Sequence, residues 1–266
     1  AAAAPVVATG IAATPPGVRI QLVGIGQAPQ YLRGNPFILS GYRRSAGATP
    51  RDQAIDLLHS LFMWHNETIN IWLHVVGFLL FASLAAIAEF GSLPHLRAAP
   101  PTARHALAGF WMAAGAVCLG SSGFHLFNPL SARMHRLLAV VDYAGIILLI
   151  SATCAVGIIY GHGGCAEYDS QVRIALGGTV LLALAMLYVV ANPSFATPTM
   201  THYRTAALVT YGLGGVYVPL SQAWTALGAH SGRLESLVAS QFPLSIGIIL
   251  AAAALYAAKL PERLAP

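Results

Sequence analysis

Six long stretches of hydrophobic residues dominate the pattern along the chain, and short connections rich in turn-forming residues separate them. Each stretch reaches the roughly 20 residues that a helix needs to cross a lipid bilayer. Inside a bilayer every backbone polar group has to be hydrogen bonded within its own segment, so such stretches can only be helices. The pattern therefore predicts membrane-spanning helices at about 69–90, 105–127, 137–160, 172–191, 205–227 and 237–258.

The region before the first stretch has a different pattern. Residues 1–18 are rich in Ala and Pro, carry no charge and show no periodicity, which predicts disorder. Residues 19–50 are mixed and interrupted by Gly and Pro, so we expect a partly ordered cytosolic segment. Together, residues 1–50 are predicted to form a cytosolic, partly disordered N-terminal tail.

Residues 51–66 are predicted to form an amphipathic helix that lies at the membrane interface. Within the row RDQAIDLLHSLFMW, the apolar side chains recur at helical spacing. These side chains are Ile55, Leu58, Leu61 and Phe62. The remainder of the chain, 67–266, is then the transmembrane bundle, and the predicted fold class is all-α.

Composition narrows the function classes. Of 266 residues, 9% are charged and 56% are hydrophobic, against roughly 25% and 45–50% in ordinary soluble domains. A soluble fold would have too few charges to cover its surface, which excludes a globular cytosolic enzyme. The net charge of +5 is modest and its basic residues are scattered, so no nucleic-acid partner is expected. The three cysteines form no CxxC pair, and neither a disulfide framework nor a zinc ribbon is predicted.

Orientation follows from the distribution of Lys and Arg. Ten of these residues lie on the side of the N-terminus and four on the other side. Because cytoplasmic loops carry the excess of positive charge, we expect the N-terminus to be cytosolic. With six spans, the C-terminal end is expected in the cytosol as well.

A first polar motif lies at the entrance to the first span. Glu67, Asn70 and His74 are spaced i, i+3 and i+7, so they share one helix face. Two interpretations remain open. The three residues could form an interfacial cap with Trp72 as an aromatic anchor, or their face could be buried against other helices.

The residues of a second polar motif come from the next two spans. Ser121 and His125 are spaced i, i+4, and Asp142 is the only acidic residue deep within an apolar stretch. The short link at 128–136 makes the two spans antiparallel neighbours, so we expect His125 and Asp142 to face one another. His, Asp and Ser together can support acid–base chemistry. The alternatives are a structural His–Asp pair and a Ser121 hydroxyl that bonds the carbonyl four residues back. Only His125 is well placed as a metal ligand.

These motifs resemble the progestin and adipoQ receptor family, which is related to the hemolysin-III proteins. The run SLFMWHNETINIWLHVVGF is similar to the first block of the family, with Glu67, Asn70 and His74 at its E-x2-N-x3-H positions. SSGFHLF matches the S-x3-H block and VDYAGIILLI matches the acidic block that follows. The resemblance covers about 31–266 and is greatest to adiponectin receptors and plant heptahelical proteins. One departure is Leu73, where the family usually has Thr.

The resemblance implies seven membrane helices and a zinc centre on the cytosolic side. It makes His125 the first zinc ligand and places Ser121 and Asp142 in the same hydrolase-like centre. Glu67, Asn70 and His74 are carried over as block positions without an assigned role. The family supplies two more ligands from H-x3-H in a seventh helix. We expect that helix beyond Pro266, so the zinc site is expected to be incomplete in this chain, and the start at Ala1 also suggests a fragment.

The function that the resemblance implies is that of a signalling receptor with a ceramidase-like activity, the hydrolysis of a lipid amide. In that case zinc would activate water, Asp142 would steer or deprotonate it, and Ser121 would hydrogen bond to it or to the oxyanion. The alternative is a non-enzymatic ligand-sensing receptor or membrane scaffold with structural zinc. Expected partners are membrane lipid and a lipid or protein ligand. The protein is predicted to be a multi-pass protein of the plasma membrane or an internal membrane.

Overall fold

The computed structural model of the chain is mainly helical, with one small sheet ahead of the membrane helices. The structure describes residues 19–91, 94–99, 101–161, 170–193, 200, 202–213, 247–248 and 250–264. The predicted disordered segment 1–18 lies outside the described residues.

Four helices in the described part of the chain are long and apolar enough to span a membrane. They confirm the first four predicted spans, each within five residues at either end. A four-residue helix, α3 (Pro94–Arg97), stands between the first two. The four are α2 (Thr68–Glu89), α4 (Pro101–Phe127), α5 (Ala132–Gly161) and α6 (Ser170–Ala191).

The fifth and sixth predicted spans are helical wherever the structure describes them. Residues 202–213 form a helix at the start of the fifth span, and residues 247–248 and 250–258 are helical in the sixth. The other parts of both spans lie outside the described residues. The chain is thus a helical, integral, multi-pass membrane protein.

Small residues let α4 pack closely between α2 and α5. A Cβ atom added to Gly77 would lie 2.9 Å from Sγ of Cys118, and one added to Gly145 would lie 3.0 Å from Cα of Val117. In a membrane, helix association depends on such close backbone approach, because lipid tails are as apolar as the side chains. The glycines therefore hold α4 at short distance from both neighbours.

A β-hairpin precedes the membrane helices, and the sequence pattern did not predict it. Strand β1 (Ile20–Val23) pairs antiparallel with β2 (Tyr42–Ser45). Val23 and Tyr42 are buried with Ala28 in a small core of their own. Each strand has only four residues, too few for its alternation to stand out between Gly and Pro.

Helix α1 (Pro50–His59) follows the hairpin and is shorter than the predicted interfacial segment. Thr49 and Asp52 form a reciprocal capping box at its start. A single turn of 3-10 helix (Ser60–Phe62) and an extended loop continue to α2. Phe62 and Trp64 are 80% and 74% exposed, so the segment presents large apolar side chains to its surroundings.

Buried polar contacts hold the hairpin against one end of the helix bundle. The Arg43 guanidinium donates from Nη1 to Oγ of Ser60 at 2.9 Å and from Nη2 to the carbonyl oxygen of His125 at 2.6 Å. His125 lies in the last turn of α4, so this end of the bundle holds the end of α4 and the start of α5. We call it the hairpin end.

Candidate functional site

The centre of the candidate site is a hydrogen bond between Glu67 and His125. Glu67 immediately precedes α2 and His125 lies in the last turn of α4. Nδ1 of His125 lies 2.9 Å from Oε2 of Glu67, and each side chain is about one fifth exposed. A carboxylate oxygen accepts, so Nδ1 is the donor. A neutral His125 then carries its lone pair on Nε2, the position from which an imidazole binds a metal or a proton.

Two side-chain amides also bond to Glu67. Asn70 donates from Nδ2 to Oε2 at 2.9 Å, and Asn128 donates from Nδ2 to Oε1 at 3.3 Å. Burial raises the pKa of Glu67, but the hydrogen bonds from His125 and Asn70 and the positive charge of Arg43 outweigh it. The pKa therefore lies below the usual carboxyl value, and Glu67 is ionised at neutral pH.

His74 lies beside His125 in the same arrangement. Its Nδ1 donates to the carbonyl oxygen of Asn70 at 2.7 Å, and its ring stacks on His125 with centroids 5.6 Å apart and an interplanar angle of 20°. Glu67 and His74 thus both contact α4, as the burial interpretation required. The Asn70 side chain is exposed and reaches the site only through Glu67.

Ser121 and Asp142 form a second pair, one helical turn from His125 along α4. The Ser121 hydroxyl donates to Oδ1 of Asp142, which joins α4 to α5. Ser121 is buried, and its only hydroxyl hydrogen is directed to the carboxylate. The alternative in which Ser121 bonds the carbonyl four residues back is not what the structure shows.

His125 and Asp142 have different hydrogen-bond partners. Among the described residues, no hydrogen bond joins these two side chains. Glu67 occupies the Nδ1 edge of His125 at 2.9 Å, and Asp142 is bonded by Ser121 instead. The sequence argument considered only the two spans joined by a short link, and not the carboxylate at the start of the first span that His125 contacts.

Sequence reasoning missed two residues that support the site. Arg43 is 2% exposed, and its bond to the His125 carbonyl closes the end of α4. Burial lowers the pKa of Arg43 to about 10, although the charge of Glu67 acts in the opposite direction. Nothing in the run YRRS distinguishes a buried arginine from an exposed one. Asn128 follows His125 at i+3 in the NPL turn, and that spacing could have identified it.

The donor set fits one part of a zinc centre. A zinc-binding histidine usually donates its other ring N–H to a carboxylate, which is the role that Glu67 plays for His125. A structural or catalytic zinc site needs at least three protein ligands. Within the residues that the structure describes, no three His, Cys, Asp or Glu side chains are grouped closely enough to hold a metal ion.

Sequence comparisons with known proteins cover the region that contains the candidate site. Residues 62–266 match the family described as haemolysin-III related. Progestin and adipoQ receptor family member 3 of Mus musculus is 31% identical over 250 residues, which cover 93% of this chain and 76% of the relative. Heptahelical transmembrane protein 1 of Arabidopsis thaliana is 27% identical over 93% of this chain and 72% of its own length.

A third relative extends the range of organisms. The adiponectin receptor protein of Drosophila melanogaster is 28% identical over 246 residues, which cover 90% of this chain and 51% of the relative. The family match begins at Phe62 and therefore includes Glu67, His125 and Asp142. The family model thus covers every side chain of the candidate site except Arg43.

Proposed function

Because the chain belongs to the haemolysin-III-related family and is a relative of the adiponectin and progestin and adipoQ receptors, we propose that it is a receptor-like membrane protein whose cytosol-side zinc centre hydrolyses a lipid amide. The observation that carries this proposal is a pair of carboxylate contacts one turn apart on α4. Glu67 bonds to His125, and Asp142 bonds to Ser121.

His125 would contribute one ligand to the zinc ion through Nε2. Glu67 orients the ring and fixes the tautomer, because the Nδ1 hydrogen is held by the carboxylate. The other ligands would come from outside the described residues, because no three His, Cys, Asp or Glu side chains are grouped within them. When bound, zinc supplies the Lewis acidity that activates water and polarises an amide carbonyl.

Asp142 would accept the proton of the attacking water. Its carboxylate is positioned by the Ser121 hydroxyl, whose hydrogen bond leaves Oδ2 free of that contact. General-base catalysis of this kind contributes about 10²- to 10⁴-fold. Ser121 is then a positioning residue, because its hydroxyl acts through Asp142 and not on the substrate.

Turnover of a fluorescent short-chain ceramide tests the proposal. The chain is assayed with zinc in phospholipid nanodiscs, both as residues 1–266 and in a form extended by the expected seventh helix. We expect Asp142→Asn to lower the rate by about 100-fold or more and Ser121→Ala to lower it less. Ser83→Ala is the matched control, because the Ser83 hydroxyl bonds the Leu79 carbonyl within its own helix, α2.

The same assay separates hydrolysis from the alternative of a non-catalytic receptor or scaffold. The names of the relatives support a receptor role, which a structural zinc ion would serve equally well. If the extended form holds zinc at one ion per chain but releases no fatty acid from any lipid amide, the hydrolase proposal is wrong. The remaining interpretation is then a zinc ion with a structural role.

A further inference from the structure

A cavity of about 300 Å³ lies at the hairpin end, between strand β2, helix α1 and the connection from α4 to α5. It is separate from the Glu67–His125 contact, which does not line it. Arginine, glutamine and serine side chains account for its polar wall. The lining residues are Gln27, Pro29, Arg43, Arg44, Ser45, Gln53, Leu57, Pro129 and Leu130.

The charge of this cavity is unbalanced. Two of its lining residues, Arg43 and Arg44, are cationic, and none is acidic. The buried Arg43 guanidinium bonds only to a hydroxyl and a backbone carbonyl. In the described part of the chain, no carboxylate lies within 4.0 Å of it, and Nε of Arg43 has no acceptor. A buried charge is costly unless it is paired. The charge of Glu67 acts on Arg43 only from beyond that distance, so an anion in the cavity would be the direct partner of the guanidinium.

Asp56 of helix α1 is not that partner either. Asp56 accepts a hydrogen bond from Oγ of Ser45 at 2.6 Å and is not among the lining residues. Gln53 donates from Nε2 to the Gly47 carbonyl, and the second hydrogen of that amide remains available. The polar wall therefore offers donors and positive charge.

The location also favours an anion. Residues 19–66 contain five arginines and only two aspartates. The exposed Phe62 and Trp64 side chains continue from α1 toward the first membrane helix, and Trp72 donates from Nε1 to the Leu61 carbonyl at 2.8 Å. Aromatic side chains in such positions lie at the level of lipid headgroups. The cavity is therefore close to the phosphate layer of the membrane.

We propose that the cavity between β2, α1 and the α4–α5 connection binds a phosphate group, with Arg43 and Arg44 as its cationic contacts. The guanidinium group matches phosphate in geometry and in charge. A volume of about 300 Å³ is at the lower end of ligand pockets, which suits a phosphate or the headgroup of a phospholipid. The proposal does not depend on the zinc centre.

Isothermal titration of the zinc-free chain with inorganic phosphate in a neutral detergent tests this site. We expect the chain to bind one phosphate. Arg44→Gln loses one charge-assisted contact, so we expect it to lower the affinity for phosphate by about tenfold or more. Arg43→Lys keeps the charge but removes the guanidinium fork, and is expected to weaken binding to a similar extent. Arg51→Gln is the matched control, since this arginine does not line the cavity.

A second arm distinguishes the source of the phosphate. The titration is repeated in phosphatidylcholine nanodiscs with and without a phosphatidylinositol monophosphate. If the phosphatidylinositol monophosphate suppresses binding of inorganic phosphate, the lipid headgroup is the ligand. If the chain binds inorganic phosphate equally in both kinds of nanodisc, the free ion is the ligand. The proposal is overturned if neither probe binds, or if Arg51→Gln weakens binding as much as Arg44→Gln does while all variants remain folded by circular dichroism.

Discussion

Glu67 accepts a hydrogen bond of 2.9 Å from Nδ1 of His125, across 58 residues of sequence and between the first and second membrane helices. The chain contains a second pair of the same type. His105 and Glu89 also lie 2.9 Å apart at the other end of α2 and α4, but their side chains are 59% and 42% exposed. The two pairs differ in burial and not in chemistry, which makes each the control of the other.

Replacing Glu67 by Gln is therefore expected to destabilise the protein far more than replacing Glu89 by Gln. The first change removes a charged acceptor from three donors, which costs about 1–3 kcal/mol. The exposed pair contributes about 0–1 kcal/mol. Thermal unfolding in detergent measures both. Equal shifts in the unfolding temperature would show that the buried pair has no special role.

Zinc binding is expected to be weak in residues 1–266, because the described residues offer His125 without two further grouped ligands. A form extended by a family-like helix with H-x3-H is expected to hold one zinc ion per chain. His125→Ala in that form should abolish binding, and Glu67→Gln should lower the affinity by about 10- to 100-fold. Metal analysis after dialysis decides this. Tightly held, stoichiometric zinc in the 1–266 form would contradict an incomplete site.

Acid is expected to destabilise the loop before α2 through His65. Its Nδ1 accepts the Glu67 backbone N–H at 3.1 Å, and its Nε2 lies 3.2 Å from the Ser60 carbonyl. Burial, and then the charge of Arg43, lower the pKa of His65 from 6.5 to about 4. The unfolded chain thus binds a proton first as the pH falls, so stability decreases between about pH 6.5 and pH 4.

His65→Asn is expected to remove that part of the pH dependence. The measurement is the unfolding temperature of the wild type and the variant from pH 7 to pH 4. His59→Asn is the matched control, because the His59 side chain is exposed at the end of α1. The assignment to His65 fails if its variant keeps the same slope as the wild type.

Gly145→Ala is expected to separate α5 from α4. The added Cβ would lie 3.0 Å from Cα of Val117, and a backbone atom cannot move aside as a side chain can. Such overpacking costs about 1–3 kcal/mol. Gly178→Ala in α6 is the control, because no atom lies within 4 Å of its added Cβ. Thermal unfolding in detergent should show a lower transition temperature for Gly145→Ala alone.

Both ends of the chain are expected on the same side of the membrane. Nζ of Lys259 donates to the Gly34 carbonyl at 3.1 Å, and the Arg263 guanidinium lies 5.8 Å from the centre of the Phe37 ring. Tags at the two termini should therefore show the same protease accessibility in sealed vesicles. Tags on opposite faces would overturn the predicted topology.

The sequence by itself determined the helices and the residue types of the site. Apolar stretches of about 20 residues can form only helices in lipid, so the positions of the four membrane helices in the described part of the chain follow from local pattern. Spacings of three and four residues placed Glu67 with His74, and Ser121 with His125, on shared faces. These properties depend on each segment alone.

Only the tertiary structure decided which side chains meet. Glu67 bonds to His125, and Asp142 bonds to Ser121, because close packing at Gly77 and Gly145 sets the rotation and depth of α4 against its two neighbours. The burial of Arg43 depends on a hairpin docking on the end of α4, 82 residues away. Contacts of this kind arise from the shapes of surfaces that are distant in sequence, and no local periodicity encodes them.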